Sequence, residues 1–456
     1  MTEHDVIHLS EVVGALSFAL DITEGQPVGH SLRCCWIGMH VGRGLGMSEA
    51  ALSDLYYTLL LKDIGCSSNA ARICQLYLAD DLNFKSAYKV VDNKLPEILR
   101  FLIANTARKS GFVERLQTLV HIARNGGEIS RELIETRCQR GAEIARSMRF
   151  SEAVARGILD LDEHWDGSGQ PEGLAEGSIS RFGQIALLSQ VVDVFFMRGG
   201  AQAALAEISE RSGRWFDPRL VAQMKALGGD DAFWDVLRAN DLAERVVALE
   251  PKALARAVDE DYLDEIAAGF AQVVDAKSPF TAGHSDRVAL FADLIAEEMG
   301  YEPERRRWLK RAALLHDIGK LGVSNSVLDK NGKPDEDEWA EIRRHPELGR
   351  TILSKIAAFR DMARIAGDHH EKLGGGGYPR GIRAEAIDLD TRIVTVADIF
   401  DALTADRPYR KAMPVSAAFD IMEKDVGSGI DGAVFAALRR GFVRLEDVAE
   451  AGERAA

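Results

Sequence analysis

Along most of this chain, apolar residues recur at steps of three and four, the period of one helix face. Val288, Phe291, Ala292, Ile295, Ala296 and Met299 make one such stripe, and Gly300 follows it as a stop signal. Tyr262, Ile266, Phe270 and Val273 make a second, and Trp308, Ala312, Leu315 and Ile318 a third. Alternating strand patterns are scarce. The pattern predicts an all-α protein.

The order of these patterns repeats. Gly29-His30-Ser31-Leu32-Arg33 returns as Gly283-His284-Ser285-Asp286-Arg287, and Lys62-Asp63-Ile64-Gly65 as His316-Asp317-Ile318-Gly319. The stretch from Asp166 to Pro171 returns as Gly374 to Pro379, and Gln184 to Asp193 as Arg392 to Asp401. The offset is 254 residues for the first two blocks and 208 for the last two, so the first copy carries 46 extra residues between them. The chain therefore reads as two tandem helical domains. The expected partition is 1–228 for a first domain, 229–258 for a linker and 259–456 for a second. Gly228-Gly229-Asp230-Asp231 and Glu250-Pro251 break the pattern at the seam, but 232–249 keeps a helical character, which predicts a helical linker. Residues 443–456 read as a short helix and a frayed tail.

Composition narrows the function. With 71 acidic against 56 basic residues the formal charge is −15, which disfavours a nucleic-acid polymer as partner. A small anionic ligand remains compatible if cations gather in one cleft. The five cysteines, Cys34, Cys35, Cys66, Cys74 and Cys138, form no CxxC pair and read as reduced thiols. No run approaches the roughly 20 apolar residues of a membrane span, and no leader is evident, so a cytoplasmic location is expected.

Five of the 11 histidines lie in the second copy: His284, His316, His345, His369 and His370. Two aspartates join them, Asp317 directly after His316 and Asp398 after the apolar run Ile393–Ala397. A lone histidine on an apolar helix is usually a hydrogen-bonded core residue. Seven such groups in one domain are more than one metal needs, about four to six ligands. A carboxylate can bridge, so two borderline divalent metals are the natural count, and paired metals suit phosphate-ester hydrolysis.

The motifs that carry these residues resemble the HD-GYP family of phosphodiesterases acting on bacterial cyclic dinucleotides. They run from Ser278-Pro279-Phe280-Thr281-Ala282-Gly283-His284 through Leu315-His316-Asp317-Ile318-Gly319-Lys320 and His345-Pro346-Glu347-Leu348-Gly349. They continue with His369-His370-Glu371, Gly377-Tyr378-Pro379-Arg380-Gly381 and Ala397-Asp398-Ile399-Phe400-Asp401 to Arg410. The resemblance covers roughly Glu260 to Phe442. It implies that His284, His316, Asp317 and Asp398 hold one metal. Asp317 would bridge to a second held by His345, His369 and His370, with a hydroxide between the metals attacking phosphorus. Iron or manganese comes first, with zinc or nickel open. The implied reaction converts cyclic di-GMP to pGpG and onward to GMP. Cyclic GMP-AMP and a receptor without turnover are the alternatives.

The resemblance assigns Asp317 and Lys320 to catalysis. Lys320 lies four residues after His316, on the same face if the helix persists, and is either a phosphate clamp or a surface lysine. Arg407 and Arg410 either hold a phosphate or guanine edge or pair with Asp401 and Asp406. Gly377 and Tyr378 belong to a loop that either meets substrate or is a plain turn. That loop and the N-terminal copy are candidate contacts for protein partners, and a homodimer is compatible. Gly374 stands where the family has Asp or Asn, and Phe280 stands where some members carry a glutamate for a third metal, so two metals are expected.

The first copy keeps His30 and Asp63. It has Lys62 for His316, Cys66 for Lys320, Arg137 for His345, Leu161 and Asp162 for His369 and His370, and Gln190 for Asp398. Cations at metal positions exclude metals. A Lys62–Asp63 ion pair is the favoured reading, an anion site the weaker one.

Overall fold

The computed structural model describes residues 7–89, 91, 95–107, 112–406 and 410–455. Among them the chain is all-α: helices dominate, and the only β-type pairings are isolated bridges such as Asp166 with Ala175 and Gly374 with Arg383. Two compact units divide the chain. One comprises Met1–Leu263 with Ser324–Ser326, the other Asp264–Val323 with Val327–Ala456. The 229–258 segment falls within the first unit. It forms two short helices, Asp231–Val236 and Leu242–Val247, which bury Phe233, Trp234 and Leu242.

The second unit is built around the helix His284–Glu298. It packs on Pro303–Leu315, Leu389–Thr404 and Gly432–Ala455. Its apolar stripe explains this: Val288, Ala292, Ile295 and Ala296 are buried, with Ile393, Val396 and Phe400 buried on Leu389–Thr404. Each fully buried aliphatic or phenyl side chain of this kind contributes about 1.5–3 kcal/mol. Local signals set the ends. Pro303 opens one helix at its first turn, and Asp388 caps another by accepting the Thr391 N–H at 2.8 Å. The tail is not a separate short helix, because the helix from Gly432 continues to Ala455.

The first unit repeats this plan. His30–Gly44 packs on Glu49–Leu61 and Arg181–Glu210. The extra residues of this copy fold as helices of their own, Ala70–Tyr77, Asp81–Tyr88, Leu95–Asn105 and the leading part of Phe112–Ser147. Ile73, Leu76, Tyr77, Phe84, Phe101, Ile122, Ile129 and Leu133 give them a small apolar core. None of the five cysteines is in a disulfide, and no helix among the described residues is long and apolar enough to cross a membrane.

Candidate metal centre

All seven predicted ligands converge in the second unit. They come from the ends and faces of separate helices. His284 starts His284–Glu298, His316 caps Pro303–Leu315, His345 starts His345–Ser354, His369 caps Ala363–Asp368, and Asp398 lies mid-way along Leu389–Thr404. Gly319 permits the approach: a Cβ there would lie 1.9 Å from the His345 carbonyl oxygen. Two nests result, Asp317, His345, His369 and His370 in one and His284, His316 and Asp398 in the other. Within each, the ligand atoms lie within 4.8 Å of one another.

Asp317 joins the nests. Its Oδ2 lies 3.3 Å from Nε2 of both His284 and His316, and its Oδ1 lies 3.4 Å from His345 Nε2 and 3.6 Å from His369 Nε2. Asp398 Oδ1 completes the first nest at 3.5 Å from His284 Nε2.

The imidazoles are oriented from behind. The Nδ1 of His284 meets Asp401 at 2.6 Å, and those of His316, His345 and His369 meet the carbonyls of Ala313, Ile342 and Ala366 at 2.6, 2.7 and 2.9 Å. With Nδ1–H donating outward, each Nε2 lone pair points inward, the arrangement that metal-binding histidines require. Inside the cluster, His284 Nε2, His316 Nε2 and Asp317 Oδ1 are buried without a hydrogen-bond partner among the described residues. Orphaned buried acceptors of this kind are costly unless something else satisfies them. The imidazole and carboxylate donors present fit borderline divalent metals.

The electrostatics point the same way. Burial disfavours a charged His345 and, with the Lys320 ammonium, brings its pKa down to about 3; burial and the neighbouring imidazoles hold His370 well below its ordinary value. Burial opposes ionisation of Asp317, but His316 and Lys320 outweigh it and keep the carboxyl well below its usual range. His284 is also buried, yet Asp317, Asp401 and Asp398 raise it to about 9. His345 and His370 are thus neutral and Asp317 and Asp398 ionised, donors suited to a cation, while His284 would have to give up its proton to hold one.

The remaining predicted residues divide. Lys320 reaches Asp317 Oδ2, but not along a helix: the α-helix ends at Leu315, and a 3-10 turn over Ile318–Gly322 brings the lysine round. Tyr378 stacks on His370 with ring centroids 4.7 Å apart. Gly377 is required there, since a Cβ would lie 2.4 Å from the Glu371 backbone. Arg410 is not directed at a phosphate. Its guanidinium donates to the carbonyls of Ala402, Leu403 and Lys411 at 2.5–2.9 Å, closing the end of the preceding helix. It pairs with neither expected aspartate: Asp401 takes His284 and Arg287, and Asp406 takes Lys411 and the Ala412 N–H. Arg407 lies outside the described residues. Gly374 leaves the loop well held, because Glu371 accepts the N–H groups of Arg380, Gly381 and Ile382 at 2.7, 3.1 and 3.0 Å.

A family model described as "HD domain" matches residues 87–220 and 270–434 of this chain. The chain belongs to the HD domain family. A 3'3'-cGAMP-specific phosphodiesterase 3 of Vibrio cholerae is 52% identical to this HD protein over 96% of this chain and 95% of its own length. The cyclic di-GMP phosphodiesterase response regulator RpfG of Xanthomonas campestris is 36% identical over 46% of this chain and 57% of its length. A crystal structure of a cyclic GMP-AMP-specific phosphodiesterase of V. cholerae, V-cGAP3, superposes with a TM-score of 0.66 and 47% identity, covering 96% of this chain and 98% of that one.

In the first HD unit the same positions hold different chemistry. The Lys62 ammonium lies between Asp63 Oδ2, His30 Nε2 at 3.0 Å and Gln190 Oε1 at 3.1 Å, the counterparts of Asp317, His284 and Asp398. On the other side of Asp63, the Lys89 ammonium lies 3.7 Å from Oδ1 and 2.9 Å from Glu24. Arg137, in the place of His345, pairs with Asp162. A carboxylate thus bridges two ammonium groups as Asp317 faces two nests. Burial and Lys62 bring His30 down to about 4, opposite to His284.

The sequence reading anticipated Lys62 but missed Lys89 and Glu24. Lys89 belongs to the inserted segment, and Glu24 closes the preceding helix, so neither has a motif. It also missed Asp401 and its counterpart Asp193, which accept from His284 with Arg287 and from His30 with Arg33. Their signal was available: both stand at the same place in the two copies, including the copy without the histidine set.

Proposed function

We propose that the second HD unit is a metal-dependent phosphodiesterase of cyclic dinucleotides, working with two divalent cations. The observation that supports this most directly is Asp317, whose two oxygens face two separate nests of inward-pointing imidazole nitrogens. His284, His316, Asp317 and Asp398 would hold one cation, and Asp317, His345, His369 and His370 the other. Iron or manganese suits the mixed nitrogen and oxygen donors, as zinc or nickel would. When bound, such a pair lowers the pKa of water toward 7 and neutralises charge on the phosphate oxygens.

The chain's own residues do the rest. Asp401 and the carbonyls of Ala313, Ile342 and Ala366 keep the imidazoles in the tautomer that points Nε2 inward. Lys320, half-buried beside Asp317, is placed to take a non-bridging phosphate oxygen. Of the two substrates, 3'3'-cyclic GMP-AMP is favoured over cyclic di-GMP. The relative named for it matches both units, whereas the RpfG match covers 46% of the chain. The test is elemental analysis of freshly purified protein alongside turnover of both dinucleotides. About two metal equivalents and faster hydrolysis of cyclic GMP-AMP are expected. A metal-loaded protein that leaves both intact refutes the proposal.

A further inference from the structure

Beside the metal nests, a series of ring contacts leads from His370 through Tyr378 and Arg343 to Trp339. Tyr378 stacks on His370 at 4.7 Å, the Arg343 guanidinium carbon lies 5.6 Å from the Tyr378 ring centroid, and the same carbon lies 5.6 Å from the Trp339 ring centroid. Trp339 is 41% exposed on the short helix Glu336–Ile342. No carboxylate pairs with Arg343 among the described residues. That is unusual in a chain with 15 more acidic than basic residues, where most arginines in this unit are paired. A guanidinium close to two rings and without a carboxylate partner keeps N–H groups available, in a planar fork that matches paired acceptors.

We propose that Trp339, Arg343 and Tyr378 form a nucleobase seat beside the metal nests, with the Arg343 edge favouring guanine. The proposal rests on the phosphodiesterase reading above and deepens it by naming how the substrate is held. A phosphate at the nests leaves its nucleoside to meet neighbouring side chains, and Tyr378 stacks directly on His370 of one nest. Stacking on an aromatic face is available to every base. Guanine adds two neighbouring acceptors, O6 and N7, which a guanidinium can engage together. Trp339 and Arg343 act here as binding residues and touch no reacting atom.

The test separates base from phosphate. Calorimetry on the metal-loaded full chain compares 5'-GMP with ribose 5-phosphate, which keeps the sugar and phosphate but lacks the base. Wild type should bind 5'-GMP about tenfold more tightly, the size of one stacked base. Trp339→Ala should erase most of that gap. Arg343→Lys, which keeps the charge but not the fork, should narrow the preference for 5'-GMP over 5'-AMP. In turnover, Trp339→Ala should raise KM far more than it lowers kcat, with metal content equal to wild type. A gap between 5'-GMP and ribose 5-phosphate that survives Trp339→Ala, or an equal loss for both ligands, overturns the seat. The two readings fail separately. Wild type that hydrolyses cyclic dinucleotides with no Trp339-dependent gap refutes the seat alone. Wild type that shows the gap but hydrolyses none refutes the phosphodiesterase reading alone.

Discussion

Asp63 and Asp317 occupy the same place in the two units and face opposite company. Asp317 is surrounded by imidazoles and touched by one ammonium group, that of Lys320, whereas Asp63 holds two, those of Lys62 and Lys89. The same scaffold thus closes its centre in two ways. One leaves orphaned acceptors open to an external cation; the other satisfies them with the ammonium groups of its own chain. The two equivalent histidines register the difference, His284 moving up to about 9 and His30 down to about 4.

The sharpest way to break this comparison is to remove both aspartates separately. Asp317→Ala should abolish metal retention and lower turnover at least about a thousandfold. Asp63→Ala should leave metal content unchanged but strand the buried Lys62 ammonium, Lys89 keeping Glu24, at a cost of about 3–5 kcal/mol in the first unit. Elemental analysis, turnover and denaturant melts read all three quantities.

A smaller effect is expected from Lys62→Met, which keeps the aliphatic stem but leaves His30 and Gln190 without the ammonium. Destabilisation by about 3 kcal/mol is expected, again without metal uptake. Metal appearing in the first unit of that variant would show that the lysine alone excludes it.

Acid offers a third probe. Above pH 6.5, His30 is neutral folded and unfolded. Between 6.5 and about 4 only the unfolded chain takes up the proton, so the His30 contribution to the stability of the first unit falls as pH drops, by up to about 3 kcal/mol. Melts between pH 7 and 4.5 should show that slope, and His30→Gln should flatten it.

The mildest pair concerns the groups behind the histidines. Asp401→Asn should weaken metal affinity about 10- to 100-fold, because His284 loses its orienting carboxylate. Asp193→Asn, its counterpart, should leave metal titrations unchanged and show only in thermal melts.

Much of this was legible in the sequence, for identifiable reasons. The stripes containing Ile295 and Phe270 announced helices because burial imposes the helical period. The ligand set was legible because each ligand sits in a short motif, and the repeat exposed Lys62 by direct substitution. What failed depends on where chains meet. The helix before His316 stops at Leu315, which periodicity through Ile318 concealed. Arg410 is drawn to three carbonyls that only the folded turn assembles. Lys89 reaches Asp63 from an insertion with no counterpart in the second copy, and the ring stack over Arg343 joins residues 35 or more positions apart, Tyr378 to Trp339 and Arg343.

Lys89 also ties two histories together. Its ammonium is contributed by the inserted helices, yet its counter-charges, Glu24 and Asp63, belong to the part that both copies share. Excising the insertion would leave Glu24 without its lysine partners and Asp63 with Lys62 alone, so the shortened protein would be poorer for the trimming. The extra segment supplies the plug of the cage beside it.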